Sequence, residues 1–468
     1  MKTQVTPFIR STAFSASLCI GLGVGILSTS CSSLPIGSGV TGPETVQIAN
    51  GIQAKRYRYA NGLRLLVIPD DSSPTFAYQT WFDVGSRDEE PGKTGLAHLF
   101  EHMMFKGTQT YPDGQFDRLL EEAGVEGQNA YTTHDHTTYI QELPAERLEL
   151  IVKLEADRMR NLVVNDPSFA TEREVVQNER RFRNENNPDG MMYQEIYGLA
   201  FEKHSYRWPI IGYAQDLATM SAADARDFYD RHYSPDRAVI VVTGDVNAAR
   251  VAKLVQQHYG ALKASPSRSL APPVEPEQKS ARRKTLRFDM QVEKLMMAYP
   301  IPKMSSDEMP ALDVLQTLLS DGRASRLRKA LVEAGVATSA FAYAASAKDP
   351  SIFIFGATLQ SGQKALSAER IILAELERLG RQGVSARELE RAKNLLNYTY
   401  FSNLETNSTR ARFAGHYESQ MNGLENGPNY FERLQRVTPE QVRAVVQNYL
   451  QPSKRSVVVA LKKTGEGK

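Results

Sequence analysis

The pattern of apolar and polar residues predicts strands and helices that follow one another from about Ile48 onward. Apolar runs at residues 57–60 and 63–68 flank the dipeptide Asn61-Gly62. Asn-Gly favours the positive φ angles of a tight hairpin turn, so these runs predict two antiparallel strands. Further along the chain, apolar residues spaced three and four apart indicate amphipathic helices between short strands.

The predicted elements form two similar series. In the first series we expect strands at 75–84 and 238–242 and helices at 94–105, 114–123, 146–161, 169–183 and 247–259. In the second series we expect strands at 286–292, 294–299, 340–345, 352–357 and 456–461, and helices at 307–319, 362–379, 385–404 and 439–449.

A change in composition separates the two series. Residues 262–283 contain four prolines together with many serine and charged residues, which is typical of an extended, exposed linker. The sequence therefore predicts an α+β protein with a first domain at 47–262, a linker at 263–283 and a second domain at 284–468. Because the second series repeats the style of the first, the two domains should resemble each other.

The N-terminus has the features of an export signal. Lys2 and Arg10 precede an apolar stretch at 13–27, which is too short to span a bilayer comfortably but suits the core of a signal peptide. Small residues then lead to Cys31, and this pattern resembles a bacterial lipobox. It predicts a signal peptide at 1–30, lipidation of Cys31 and a tether at 31–46; an ordinary signal peptide cleaved nearby is the alternative. By resemblance to known lipoprotein signals, Ser32 after the cysteine favours the outer membrane over the inner one. We therefore expect a periplasmic protein of a Gram-negative bacterium, held to the membrane only by its lipid.

Composition narrows the function classes further. The 56 Lys and Arg residues nearly balance the 54 Asp and Glu residues, so the clustered basic excess typical of nucleic-acid binding is missing. Two cysteines exclude a disulfide framework and a zinc site built from four cysteines. Only eight histidines occur in 468 residues, so a group of them carries information.

The strongest chemical signal is the segment from Gly95 to Met103, which contains His98-x-x-Glu101-His102. We expect Thr94 to cap this helix. Residues four apart share one helix face, so the two imidazoles can bind a single Zn²⁺. Glu101 flanks the same face and could act on water without being a ligand. A surface helix with chance histidines is the alternative, but the apolar neighbours indicate a mostly buried helix, where such polar residues need a purpose.

A catalytic zinc also needs a third protein ligand from another element. In the predicted helix at 169–183, where Thr171 and Glu174 resemble a capping box, Glu172 and Glu179 lie seven residues apart on an otherwise apolar stripe. They are candidates for that ligand, although solvated or salt-bridged glutamates would give the same pattern. His134 and His136 could form a second metal pair, or belong to a polar strand.

The His-x-x-Glu-His segment with a distant glutamate resembles the pitrilysin (M16) family of zinc metallopeptidases, bacterial two-domain branch. The resemblance implies two α/β-roll domains of the pitrilysin and mitochondrial processing peptidase type, each a mostly antiparallel sheet packed with helices. It implies one Zn²⁺ per chain bound by His98, His102 and Glu179, with 76 residues between the last two. Glu101 would be the general base, and Glu172 would orient a histidine.

The resemblance also covers the substrate side. Asn129, with Ala130 beside it, matches the family residue that hydrogen-bonds the backbone of a peptide substrate. Active members usually supply an Arg and a Tyr from the C-terminal half, whereas this chain has Leu331 and Thr338 there. The resemblance therefore implies an exported endopeptidase acting on peptides or unfolded polypeptides as a dimer, in which a non-zinc subunit could supply that pair. The alternative is a non-catalytic assembly or chaperone-like subunit, and Zn²⁺ is not distinguished from Mn²⁺.

Overall fold

The computed structural model describes residues 39–265 and 271–463, which form twelve strands and fourteen α-helices. The strands are β1 (Val40–Ala49), β2 (Ile52–Tyr59), β3 (Arg64–Pro69), β4 (Thr75–Phe82), β5 (Glu126–Thr132), β6 (Thr137–Pro144), β7 (Ala238–Gly244), β8 (Arg282–Phe288), β9 (Lys294–Ile301), β10 (Ala337–Ala344), β11 (Ser351–Leu359) and β12 (Ser456–Lys462). The helices are α1 (Leu96–Met103), α2 (Gln115–Glu122), α3 (Leu148–Asn161), α4 (Asp166–Arg180), α5 (Pro188–Ala200), α6 (Ala214–Thr219), α7 (Ala222–His232), α8 (Ala248–Tyr259), α9 (Met309–Ser320), α10 (Ala365–Gln382), α11 (Ala386–Ser402), α12 (Asn407–Gln420), α13 (Asn426–Gln435) and α14 (Pro439–Tyr449).

The strands form two sheets with the same internal topology. The first has the order β1-β2-β3-β7-β4-β6-β5 and the second the order β10-β11-β9-β12-β8. In each sheet one pair is parallel, β3 with β7 and β12 with β8, and every other pair is antiparallel. The series β3-β7-β4-β6-β5 therefore corresponds strand by strand to β8-β12-β9-β11-β10. The predicted α+β class with two similar, mostly antiparallel sheets is confirmed.

Strand β7 shows why the first sheet is covered on both faces. Every residue of its sequence Ala-Val-Ile-Val-Val-Thr-Gly is buried. Successive side chains of a strand point to opposite faces, so an unbroken apolar run belongs to a strand with packed material on both sides. Ile240 and Val242 face the large core that includes α1 and α3, whereas Val239 and Val241 face a second core against α12.

Helix α12, which covers the second face of the first sheet, comes from the C-terminal half of the sequence. Ala411 and Phe413 on α12 pack with Trp81 of β4 in the outer core of the first sheet. The converse also holds, since Met192 and Ile196 of α5 pack against β9, β11 and β12 of the second sheet. Each half of the chain therefore covers one face of the other half's sheet, an exchange that the two predicted series do not indicate.

Two observed strands begin inside segments that the sequence predicted to be connections without secondary structure. Strand β1 begins at Val40, inside the segment predicted as a tether, and β8 begins at Arg282, at the end of the segment predicted as a linker. Cys31 and the signal segment lie outside the described residues. None of the helices in the described part of the chain is both long enough and apolar enough to cross a membrane.

Candidate metal centre

Helix α1 begins where its backbone lies against the backbone of Ile211 and Gly212. Its N-cap is Gly95, not Thr94, with φ of 97°, and a Cβ on Gly95 would lie 2.7 Å from the carbonyl oxygen of Ile211. Glycine adopts this left-handed conformation without strain and leaves room for the contact. The Thr94 hydroxyl instead donates to Asp216 Oδ2 at 2.6 Å, which ties the start of α1 to α6.

The buried carboxylate of Glu89 completes the N-terminus of α1. It accepts the backbone N–H groups of Gly95 at 2.9 Å and Ala97 at 2.8 Å, two donors that lack partners within the helix. On the opposite side, Leu99 and Phe100 lie in the main core, where Phe100 stacks on Tyr229 at 5.5 Å. The helix that presents His98 and His102 is therefore fixed at its start and along its apolar face.

Helix α4 is anchored to the same region. It begins at Asp166, earlier than the sequence predicted. Its N-cap is Asn165, whose side chain accepts the N–H of Ser168 and forms the capping box that was expected further along at Thr171. At its other end, Arg180 Nη1 donates to the carbonyl oxygen of Gly212 at 2.8 Å, close to Gly95. These contacts hold the face of α4 that carries Glu172 and Glu179 against α1.

The structure brings together the three residues proposed as metal ligands. Glu179 Oε2 lies 3.2 Å from His102 Nε2 and 3.8 Å from His98 Nε2. Ligand atoms around a tetrahedral zinc with bonds of 2.0–2.1 Å would be about 3.3 Å apart, so this spacing fits one ion. Among the described residues this is the sole group of three His, Cys, Asp or Glu side chains whose ligand atoms all lie within 4.8 Å of one another. Two imidazole nitrogens and one carboxylate oxygen are ligands that zinc accepts.

The two histidines have opposite electrostatic surroundings. Burial and the neighbouring charge of His102 lower the pKa of His98 to about 4, so its imidazole is neutral. Burial also opposes protonation of His102, but the carboxylates of Glu172 and Glu179 outweigh it and raise its pKa to about 9. The carboxylates thus create a site that attracts positive charge.

Glu101 faces the same space from α1 and is held by β5. The hydroxyl of Thr132 donates to Glu101 Oε2 at 2.5 Å. Burial raises the pKa of the Glu101 carboxyl, against the opposing effects of this hydrogen bond and of His102. A raised carboxyl pKa brings the group closer to the range in which it can both take up and release a proton.

Glu172 lies behind His102 rather than among the proposed ligands. Its Oε2 is 3.6 Å from His102 Nδ1, and its Oε1 is 2.9 Å from Lys106 Nζ. Burial acts to raise the pKa of Glu172, but these two cationic partners outweigh it and lower the pKa below its ordinary value. The carboxylate therefore contacts the ring nitrogen opposite to the one that faces Glu179.

A cavity of about 860 Å³ opens over these side chains. Strand β5, at the edge of the first sheet, forms one wall with Asn129 and Ala130. The N–H of Ala130 donates to the side-chain oxygen of its neighbour Asn129 at 2.8 Å. A peptide strand that added to this edge could use the same N–H once the Asn129 side chain turned aside.

Aromatic residues form another wall of the cavity, and among them the sequence had singled out only His134. Tyr193 and Tyr197, four apart on α5, line this wall together with Trp208 and His134. The His134 ring stacks on Tyr197 at 4.9 Å. The i, i+4 spacing of the two tyrosines was the available signal, but the helix itself was not predicted. His136 lies elsewhere, stacked on Trp81 at 4.9 Å, and neither it nor His134 belongs to the three-ligand group.

The positions where the family usually has an Arg and a Tyr lie in the second half. Leu331 is fully buried in the second core, and Thr338 is an exposed residue of the edge strand β10. Neither residue lines the cavity over His98 and His102.

Comparison with known proteins places both halves in one family. Residues 65–212 match the profile of Insulinase (Peptidase family M16), and residues 219–396 match the profile of the Peptidase M16 inactive domain. His98, Glu101, His102, Glu172 and Glu179 all fall within the first match.

Relatives and solved structures agree with these profiles. The chain is 29% identical over 449 residues to zinc protease PqqE of Helicobacter pylori, covering 95% of this chain and 98% of that protein. It is 27% identical to the uncharacterized zinc protease YmxG of Bacillus subtilis, covering 76% and 86%. The crystal structure of a protease from Helicobacter pylori superposes with a TM-score of 0.84 at 30% identity, covering 87% of this chain and 99% of that one.

Proposed function

Because the chain belongs to the M16 peptidase family of zinc proteases, we propose that it is a zinc metalloendopeptidase that hydrolyses peptides or unfolded polypeptides. The observation that carries this proposal is the convergence of His98 Nε2, His102 Nε2 and Glu179 Oε2 beneath an open cavity, with Glu101 beside them. One zinc ion per chain would be held by these three side chains.

When bound, zinc would polarise the scissile carbonyl and lower the pKa of water towards neutrality. The chain's own residues supply the remaining chemistry. Glu101, steadied by Thr132, accepts a proton from the attacking water and delivers it to the leaving amine. Asn129 and Ala130 on the edge strand bind the substrate backbone in an extended form, which favours unfolded chains. The aromatic wall around Tyr197 excludes water and receives apolar side chains of the substrate.

The test combines metal content with peptide hydrolysis. We expect the purified chain to contain about one zinc and to lose activity with a chelator, and His102→Ala to lose both. Glu101→Gln should keep its zinc but lose activity by about 10²-fold or more, the usual contribution of a positioned base. Glu174→Gln, an exposed glutamate on α4, is the matched control and should behave as the wild type. Retained activity in Glu101→Gln would eliminate the assigned base.

The alternative, a non-catalytic assembly or chaperone-like subunit, makes a different prediction. A folded chain that binds no zinc at all would support it. The complete set of His98, Glu101, His102 and Glu179 favours the enzyme.

We infer further that the chain works as a dimer with a second M16-like subunit that carries no zinc. The support is that Leu331 and Thr338 stand where active members carry an Arg and a Tyr, so that pair would have to come from another chain. Peptide hydrolysis should increase when the chain is co-expressed with such a subunit. Equal rates for the chain alone and for the pair would refute this.

Export and lipid attachment are likewise proposed. The apolar segment at 13–27 followed by Cys31 supports a periplasmic protein anchored to the outer membrane of a Gram-negative bacterium. Cys31→Ala should move the protein from the membrane fraction to the soluble fraction, and an unchanged distribution would contradict the anchor.

A further inference from the structure

Lys106 lies one helical turn after His102. It contacts Glu172 but is neither a proposed metal ligand nor the proposed base. The chain is held there by hydrogen bonds from Phe105 N to His102 O at 3.1 Å and from Lys106 N to Met103 O at 3.0 Å. The backbone of Lys106 is therefore fixed with respect to His102. Its Nζ lies 2.9 Å from Glu172 Oε1, whereas exposed Asp113 is a distant second partner at 4.0 Å.

Glu172 needs this cation because its carboxylate is buried. Its side chain is only 7% exposed, and a buried charge without a partner is costly. With Oε1 held by Lys106, Oε2 points at His102 Nδ1. Without Lys106, the carboxylate would take up a proton or turn towards solvent, and in either case it would stop bridging the two residues.

The ring of His102 is thus contacted at both nitrogens. Nδ1 faces Glu172, and Nε2 faces Glu179 Oε2 at 3.2 Å. In metal sites, an acceptor on the second ring nitrogen fixes the orientation of a histidine ligand, and its loss commonly lowers metal affinity by about 10–100-fold. The bridge Lys106–Glu172–His102 has the arrangement that such control requires.

We propose that Lys106 is a positioning residue of the metal centre, which holds Glu172 between itself and His102 and so keeps His102 Nε2 directed at the site formed with His98 and Glu179. This inference rests on the proposed function, since it concerns the residues that would bind zinc.

Two other ion pairs show what distinguishes Lys106. Arg183 contacts Glu179 Oε1 at 2.9 Å, but its side chain is 69% exposed, so salt screens the pair. Lys93 contacts Asp224 at 2.8 Å with 37% of its side chain exposed, and Asp224 is not in contact with a proposed metal ligand in the way that Glu172 is. Lys106 is 28% exposed and its partner is buried, so its effect should persist at high salt.

The experiment measures zinc affinity, without reference to activity. The mature chain is titrated with Zn²⁺ against a chromophoric chelator, as wild type, Lys106→Met, Lys106→Arg and the control Lys93→Met. We expect Lys106→Met to bind zinc about 10–100-fold more weakly at both 0.1 M and 1 M salt. Circular dichroism and the melting temperature in excess chelator check that the variant is folded under the conditions of the titration. Lys106→Arg should recover most of the affinity, and Lys93→Met should match the wild type.

A double-mutant cycle identifies the route of the effect. In a Glu172→Gln background, Lys106→Met should cause no further loss, because the carboxylate through which it acts is gone. Should Lys106→Met prove insoluble, Lys106→Gln enters the same cycle with the same expectations. Wild-type affinity in the single variant, or an undiminished effect in the Glu172→Gln background, would overturn the inference alone. A wild-type chain that binds no zinc would overturn both the inference and the proposed function.

Discussion

A buried arginine joins the N-terminal sheet to the helix that crosses over from the C-terminal half. Arg56 on β2 is 3% exposed, and its Nη2 lies 2.8 Å from Glu418 Oε2 on α12 and 2.5 Å from Glu425 Oε2. Glu418 is 1% exposed and has one other cation near it, Arg64 at 4.0 Å. We predict that Arg56→Met, which keeps most of the apolar stem, will strongly destabilise the protein.

The expected magnitude follows from what the substitution leaves behind. Removing one partner of a buried ion pair typically costs about 3–5 kcal/mol, because the remaining charge is buried and unpaired. Arg64 would compensate part of this, so we expect a loss of about 3 kcal/mol. Arg433→Met is the control: Arg433 pairs with Asp307, which is 94% exposed, and such a surface pair contributes about 0–1 kcal/mol.

Unfolding in urea, followed by tryptophan fluorescence, can measure the loss. One of the two tryptophans, Trp81, lies directly under α12, where a Cβ on Gly415 would be 2.2 Å from the indole nitrogen. Adding Glu418→Gln to Arg56→Met should recover at least half of the lost stability, because it removes the unpaired charge. An unchanged midpoint for Arg56→Met, or no recovery in the double variant, would refute the reasoning.

Three further predictions concern the metal helix, the base and acid stability. Gly95→Ala should lower the melting temperature and the zinc content together, because φ is 97° and the new Cβ would meet Ile211 O; normal zinc binding would contradict this. Thr132→Val should keep its zinc but lower kcat about tenfold or more, because a hydrogen bond to a charged base is lost; an unchanged kcat would exclude that role. Burial and nearby Arg237 lower the pKa of His232 from 6.5 to about 3. Below pH 6.5, His232 therefore binds a proton in the unfolded chain but stays neutral in the folded chain. As the pH is lowered, this residue should therefore reduce the unfolding free energy by about 1.4 kcal/mol per pH unit. In urea unfolding between pH 6 and 4.5, the unfolding free energy of His232→Phe should depend less steeply on pH than that of the wild type. Equal slopes would contradict the assignment.

The elements that carry the candidate site were predictable because their information is local. The periodicity of α1 and α4 placed His98 with His102 and Glu172 with Glu179 on single helix faces, and the structure has both pairs so arranged. The α+β class and the M16 family were also predicted and are confirmed. The convergence of α1 and α4 could be inferred only from the family resemblance, because no local pattern fixes the distance between two helices.

What the sequence did not predict depends on tertiary contacts. Helix α12 is rich in polar residues and shows little amphipathic pattern, yet Arg410 and Glu418 are buried because they pair with Asp70 and Arg56. The sequence alone does not show which distant charged residues will form an ion pair in the folded protein. Nothing in the sequence distinguishes Lys106 from an ordinary surface lysine, since its partner Glu172 lies 66 positions further along the chain.

The reciprocal covering of the two sheets by α5 and α12 has a consequence for dissecting the protein. A fragment that stops before the linker would lack α12 and expose Trp81 and Val239, whereas the remaining fragment would lack α5 and expose Met296 and Val458. Each piece expressed by itself should therefore aggregate. Co-produced as two polypeptides, however, the pieces should reassemble, and a protease that nicks the connecting segment should leave a complex that stays associated until denaturant separates it.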